Sequence, residues 1–374
     1  MGAGLPEVDL GPGLVADSLW SGRIRVCAGF GALGLKCWGF NDHGQLGLGD
    51  TQNRGDNPGE MGAALPFVDL GGSLMTPPSV ALGVYHTCAV LADGRVKCWG
   101  NNGGGSLGLG DTEQRGDNAD EMGANLPAVD LGPGVKAVAV GAGAVYSCAL
   151  LEGGGVKCWG SAGQGKLGLG DFESRGDEPG EMGAMLPLVD LGGPAVGLAV
   201  GYSHSCALLA DNRVKCWGDN NYGQLGLGDK ADRGDDPNEM GAMLPAVDLG
   251  PDVLVASVHV GLLSSCARLQ DGRLKCWGYG GEGNLGFGGK AHLGDQPGEM
   301  GNNLPFIDLG PGLSVVSLDL GGFTSCATLS DGSAKCWGFN VIGQLGQGDT
   351  LNRGDNPGEM GDNLPRIKLF SNAW

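Results

Sequence analysis

The chain has 374 residues, 77 of them Gly, a formal charge of −19 and 41% apolar residues. So much Gly without a Gly-X-Y period indicates a folded protein of many tight turns, not collagen or a disordered tail, and argues against long helices, where each interior Gly costs about 1 kcal/mol. The acidity excludes a surface of clustered Lys and Arg, so no nucleic-acid partner is expected, while it accommodates high solubility, basic protein partners or weak cation binding.

The chain opens on "MGAGLPEVDL", which has neither a basic start nor an apolar stretch, so no signal peptide is visible. Met1 falls where later repeats carry the Met of "EMG", and a trimmed boundary is expected there. No apolar run reaches the length of about 18 residues that a spanning helix needs, so no membrane insertion is expected.

From residue 27 onward the sequence repeats. Cys-Trp-Gly recurs with its Trp at Trp38, Trp99, Trp159, Trp217, Trp277 and Trp337, marking six units of about 60 residues. Each unit reads as a short β-run into a Cys, a turn, "KCWG", a "GQLGLGD"-type stretch, an Arg-Gly-Asp loop and "LPxVDLG". The last element occurs seven times, from Leu5-Pro6 to Leu364-Pro365. This pattern predicts four strands per unit and an all-β propeller forming one domain over residues 1–374, with one blade shared between the chain ends. Six blades follow from the count, and seven with an irregular or truncated blade is the alternative.

Within each unit two Cys stand ten residues apart: Cys27/Cys37, Cys88/Cys98, Cys148/Cys158, Cys206/Cys216, Cys266/Cys276 and Cys326/Cys336. A three-residue hairpin loop such as Ala92-Asp93-Gly94 would set Cys88 opposite Cys98. Its third position, which favours φ > 0, holds Gly94, Gly154, Asn212, Gly272 and Gly332. Leu33 in the first unit breaks the rule, so an irregular hairpin is expected there. Six within-blade disulfides and an oxidising, for example extracellular, compartment are the reading; buried free Cys is the alternative, and the spacing is wrong for zinc. Each Trp of "KCWG" is expected to anchor packing between blades, and each preceding Lys to lay its stem on that surface and pair with an acid.

The loop "RGDNPGEMG" (54–62) looks like an adhesion signal, but Arg-Gly-Asp recurs in five of the six units. Asp stands four residues before Arg in five of them: Asp50/Arg54, Asp111/Arg115, Asp171/Arg175, Asp229/Arg233 and Asp349/Arg353. In the fifth unit both change, to Gly289 and Leu293. Their joint loss predicts structural ion pairs. Asn57-Pro58-Gly59-Glu60 reads as a capped helical turn that Gly62 ends. Asp56 and Glu60, which recur in all six units, are weak Ca²⁺ candidates, disfavoured by the adjacent Arg and by the lack of an Asp-x-Asp-x-Asp run.

The stretches "HTCAVLADGRVKCWGNN" (86–102), "HSCALLADNRVKCWGDNNYGQLGLGD" (204–229) and "SCATLSDGSAKCWGFNVIGQLGQGD" (325–349) resemble the regulator-of-chromosome-condensation repeat family across essentially the whole chain. The resemblance implies a β-propeller, most often seven-bladed. Its founding member is a small-GTPase exchange factor that binds chromatin, through loop residues and a basic tail, and no basic tail is present here. The ultraviolet-sensing relatives use Gly-Trp-Arg motifs, also missing. The cysteine-paired form with the "RGDxPGEMG" insertion resembles secreted or surface proteins.

No His-Glu-x-x-His motif occurs, no catalytic constellation is read, and no cofactor is expected. "GQGKLG" (163–168) and "GEGNLG" (281–286) match the dinucleotide fingerprint only as variants of the repeated turn. Of the five His (His43, His86, His204, His259 and His292), His86 and His204 share a repeat position and read as hydrogen-bonded structural residues. The expected function is a non-enzymatic protein-interaction scaffold binding through loops that vary between units, such as "SLMTPPS" (73–79) and "GYGGEG" (278–283). The alternative is an exchange or regulatory factor for a small GTPase.

Overall fold

The structure, a computed structural model, describes residues 6–367. It is all-β: eighteen strands form six three-stranded sheets, joined by short 3-10 turns, with no α-helix among the described residues. One compact unit holds residues 8–202 and 234–243, and the other holds residues 203–233 and 244–367 with residues 6–7. The first unit contains β1 (Ser18–Ser21), β2 (Arg25–Gly29), β3 (Leu35–Gly39), β4 (Val80–Leu82), β5 (His86–Val90) and β6 (Val96–Gly100). It also contains β7 (Ala137–Ala142), β8 (Tyr146–Leu151), β9 (Val156–Gly160) and β10 (Ala195–Val200). The second contains β11 (His204–Leu209), β12 (Val214–Gly218), β13 (Val255–Val260), β14 (Ser264–Leu269) and β15 (Leu274–Gly278), then β16 (Val315–Leu320), β17 (Thr324–Leu329) and β18 (Ala334–Gly338).

Each blade has three strands, not the four expected. The "LPxVDLG" segment runs beside the third strand but pairs with it only briefly, through a ladder bond from its branched apolar residue and, in the last two units, an isolated bridge (Lys275–Phe306 and Lys335–Arg366). Val68 N donates to Leu35 O, Val129 N to Val96 O and Ile307 N to Leu274 O, at 2.8–3.0 Å. Two residues earlier a Pro has no N–H to donate. Just after it, the Asp carboxylate turns the chain, as Gly71 N donates to Asp69 Oδ1 at 2.8 Å. The segment still buries its apolar side chains: Val68 and Leu70 are both core residues.

The second and third strands of each blade form the hairpin that the Cys spacing predicts. The two Cys of a blade face each other directly in the ladder, as Cys88 faces Cys98 and Cys266 faces Cys276. Every pair is a disulfide: Cys27–Cys37, Cys88–Cys98, Cys148–Cys158, Cys206–Cys216, Cys266–Cys276 and Cys326–Cys336, with Cα atoms 4.0–4.1 Å apart. The alternative of buried free Cys therefore does not hold. The three-residue loop is closed by Leu91 N to Arg95 O at 2.8 Å, and Asn212 takes φ +72° at its third position. The first hairpin is the irregular one, with a 3-10 turn over Gly31–Leu33.

The core is built between consecutive blades. One cluster combines Cys27, Leu35, Cys37 and Leu46 of the first blade with Val80, Ala89, Leu91 and Trp99 of the second. Another combines Cys266, Leu274, Cys276 and Leu285 with Val315, Leu318 and Trp337. These disulfides lie inside the seams, shielded from solvent. The last differs: Cys336 is buried beside Leu345 and Ile367, but its partner Cys326 is only partly covered.

Closing each loop of about ten residues restricts the unfolded chain and stabilises the fold by about 2–3 kcal/mol. Replacing Cys206 and Cys216 together by Ser should lower the urea-unfolding free energy by about that amount, with the slope against urea nearly unchanged. In denaturant the wild type should expose no reactive thiol until reductant is added.

Candidate functional site: inter-blade joints and an aromatic surface

The Arg-Gly-Asp loop is a joint. Its Arg backbone pairs both ways with the Gly that ends the third strand: Gly100 N donates to Arg115 O at 2.7 Å, and Arg115 N to Gly100 O at 3.2 Å. The same pairing joins Arg54 to Gly39, Arg175 to Gly160, Arg233 to Gly218 and Arg353 to Gly338. The Arg side chain turns back to the upstream Asp, and all five expected ion pairs form. Nη2–Oδ2 distances are 2.6 Å for Arg54–Asp50, 2.7 Å for Arg115–Asp111 and 2.8 Å for Arg175–Asp171. They are 2.6 Å for both Arg233–Asp229 and Arg353–Asp349.

The ion pair is only part of what these guanidinium groups do. Nη1 of Arg54 donates to Gln52 O at 2.7 Å, that of Arg175 to Glu173 O at 2.6 Å and that of Arg353 to Leu351 O at 2.9 Å. Arg233 does the same toward Ala231 O at 2.7 Å. The Arg thus clips the backbone of its own loop as well as the Asp. Where both residues are lost, Leu293 keeps the backbone pairing with Gly278. The pair therefore trims the loop without being needed to fold it.

The Glu of "EMG" gathers the loop. Glu121 Oε2 accepts from Gly116 N at 2.8 Å and Asn118 N at 3.1 Å, and the Glu of every unit takes the corresponding Gly amide. Burial alone would raise its pKa, but the Asn118 and Gly116 donors hold Glu121 below the ordinary carboxylate range. No helical turn forms over 57–60. Glu60 reaches back to Asn57 N as a capping Glu would, but the Asn57 side chain bonds Glu60 itself. Gly62 opens a 3-10 turn instead of ending one. Asp56 faces Asn53 and Asn57, and among the described residues no three His, Cys, Asp or Glu are grouped to hold a metal ion.

The gathered loop docks on the preceding blade's "GQLG" turn. Gly49 N donates to Gly116 O, Gly110 N to Gly176 O, Gly170 N to Gly234 O and Gly228 N to Gly294 O, at 2.9–3.1 Å. Gly44 has φ +71°, and a Cβ there would overlap the Asp117 nitrogen, so no other residue fits. The Trp completes the seam: Trp99 Nε1 donates to Gln45 O at 3.1 Å and Trp277 Nε1 to Gln224 O at 3.0 Å. The Gly of Arg-Gly-Asp is buried at Gly116, Gly176, Gly234 and Gly354, as is the equivalent Gly294, and exposed only at Gly55.

The Lys of "KCWG" binds carbonyls instead of the expected acid. Lys157 Nζ donates to Leu131 O at 2.9 Å and Gly183 O at 2.7 Å, and Lys36, Lys97, Lys275 and Lys335 act alike on the 3-10 turn. The ammonium thus ties the preceding "VDLG" to the next 3-10 turn, and on the first blade Leu10 O supplies the contact. Two cross-blade ion pairs escaped the sequence reading: Lys230–Asp295 at 2.9 Å and Lys290–Asp355 at 3.0 Å. Their only signal was a Lys directly after the "GLGD"-type Asp or Gly.

His86 and His204 are buried, with Nε2 2.8 Å from Ser147 Oγ and 2.9 Å from Ser265 Oγ. Burial, and for His86 also the nearby Arg25, depresses both to about 3. Arg25 is itself lowered to about 9 by burial and donates to Val84 O, His86 O and Thr87 Oγ1.

Blade-specific residues converge at one surface of the second unit. Tyr222 packs edge-on against Tyr279 at 5.2 Å and His292 at 5.3 Å, and Tyr279 meets Phe323 at 5.3 Å. All four rings are half-buried. Burial raises the Tyr279 phenol, with Glu282 adding to the effect. Of the two variable loops singled out in the sequence, "GYGGEG" supplies Tyr279 and Glu282 to this surface. "SLMTPPS" does not stay free: Leu74 is buried and Ser79 Oγ accepts from Val140 N at 3.0 Å, so that loop is packing.

Both buried His must stay neutral in the folded state. Their stabilising contribution is complete above the ordinary His pKa of about 6.5 and is lost as pH falls from there toward about 3. Thermal unfolding followed between pH 7 and pH 4 should show a falling midpoint, and a His86→Gln, His204→Gln variant should show a shallower fall.

The profile of the "Regulator of chromosome condensation (RCC1) repeat" matches residues 79–106 and 195–224. The ultraviolet-B receptor UVR8 of Arabidopsis thaliana is 28% identical over 321 residues, 84% of this chain and 63% of that protein, so the chain spans less than two thirds of this relative. Among solved structures, human WBSCR16 superposes with a TM-score of 0.69 at 18% identity, covering 96% of this chain and 83% of that one. Prp20p of Saccharomyces cerevisiae, whose binding to Gsp1p and histones has been characterised, gives 0.67 at 21% identity over 94% and 76%. The chain thus carries segments that match the RCC1 repeat, is similar over most of its length to proteins built of that repeat, and has their β-propeller fold.

Proposed function

We propose that the chain is a non-catalytic protein-interaction scaffold of an oxidising compartment, and that it engages a protein partner through the Tyr222, Tyr279, His292 and Phe323 surface. The observation that carries this reading is the division of labour among residues. Those that recur in every blade close joints, whereas the blade-specific aromatic rings assemble into one contiguous half-exposed patch. Aromatic side chains offer large contact area at small entropic cost and dominate the energetics of many interfaces. The six cysteine pairs support the oxidising compartment, since such bonds persist only where thiols are not kept reduced. Exchange on a small GTPase rests on likeness of fold alone and is not proposed, because function resides in the site and not in the scaffold.

The full chain and a Tyr222→Ala, Tyr279→Ala variant, immobilised side by side, should differ in what they retain from the secreted or lumenal fraction of the source. Loss of two central anchors should weaken a bound partner about thirtyfold, at an unfolding midpoint within a few degrees of wild type. Equal retention by both proteins would refute this surface as the contact.

A further inference from the structure

The joints fall into two classes. In the last two, an ammonium from the preceding blade sits on the Asp of the docked loop: Lys230 on Asp295 and Lys290 on Asp355. Both carboxylates are about nine-tenths buried, while the lysines are half exposed. Those ammonium ions therefore reach the acid from the solvent side.

In the compact unit of residues 8–202 and 234–243, the position of Lys230 is held by Thr51, Thr112 and Phe172, and the position of Asp295 by Asp117, Asp177 and Asp235. None of these three acids has an ion pair. Asp117 Oδ1 and Asp177 Oδ1 are buried without any hydrogen-bond partner, a costly condition that a fold normally avoids. Burial, with Glu121 beside Asp117 and Glu181 beside Asp177, pushes both acids up, whereas Lys230 and Lys290 help bring Asp295 and Asp355 down against the same burial. Glu113 and Glu173 flank the same turns, and the chain carries −19 overall.

We propose that Asp117, Asp177 and Asp235 are sockets for lysine ammonium groups of a protein partner, one per joint, each reproducing in trans the contact that Lys230 and Lys290 make in cis. The partner this chemistry fits is a lysine-rich segment. A compact ammonium with three donors suits one half-buried carboxylate oxygen, whereas the planar guanidinium of Arg seeks both oxygens at once. The proposal is independent of the aromatic surface, which lies in the other unit.

The test fills the sockets from within. Thr51, Thr112 and Phe172 are exposed, so a Thr51→Lys, Thr112→Lys, Phe172→Lys variant of the full chain should fold, and each new lysine should reach its Asp as Lys230 and Lys290 do. The probe is a synthetic oligolysine peptide, titrated by calorimetry at physiological salt against wild type, this variant, and a control with the same added charge at exposed Val138, Leu188 and Val196. Wild type should bind, the socket variant should bind about tenfold more weakly than the control, and an oligoarginine peptide of equal length should not show that difference. Equal loss in the variant and the control would reduce the effect to general electrostatics and overturn the sockets, as would failure of wild type to bind oligolysine.

Discussion

One carboxylate in each repeat, the Glu of "EMG", makes the rest of the architecture possible. By accepting two backbone N–H groups of its own loop it bends "RGDxPGEMG" into a compact knob. The knob presents a Gly carbonyl to the amide of the blade before it. Without that carboxylate, two amides of the loop would lose a charged acceptor, the strongest kind of partner a backbone N–H finds. Seams built this way let a chain with few aromatic residues, and no α-helix among the described residues, hold its small sheets in sequence.

The seam is reinforced by groups that do different work. Trp side chains fill volume and donate one hydrogen bond to a backbone carbonyl across the seam. Lysine ammonium groups, buried beside carbonyl oxygens, act as polar rivets between the "VDLG" turn and the next blade. The disulfides fasten each hairpin inside its blade instead of linking blades. The covalent bonds thus secure the pieces, and weak directional contacts secure their order.

Much of this was legible in the sequence, because the features that fix it are local. A Cys pair at a spacing of ten, a Gly or Asn at the αL position of the hairpin and an Asp four residues before Arg are each settled within one unit. What the sequence did not disclose depends on the neighbouring unit. The Lys of "KCWG" invited an acidic partner because salt bridges are the usual resting place of a lysine, yet its acceptors are carbonyls of the preceding "VDLG" turn and of the turn that follows. Nothing within their own units marks Lys230 and Lys290; the next loop places Asp295 and Asp355 against them. The fourth strand failed for a local reason, the Pro and the Asp turn that leave room for no more than an isolated bridge. The aromatic surface was half visible: Tyr279 lay in a loop marked as variable, but its contacts with Tyr222 and Phe323 join three blades.

The Arg-Gly-Asp loop, gathered by its Glu, is a joint and not a displayed ligand. Native-state hydrogen exchange at the Gly49 amide tests it most directly, because that amide belongs to one blade and its acceptor, Gly116 O, to the next blade's loop. In a Glu121→Ala variant the Gly49 and Gly116 amides should lose protection together, while the Cys148–Cys158 hairpin keeps its own. If Gly49 stays as protected as in wild type, the loop does not depend on Glu121 to dock, and the joint as described here is wrong.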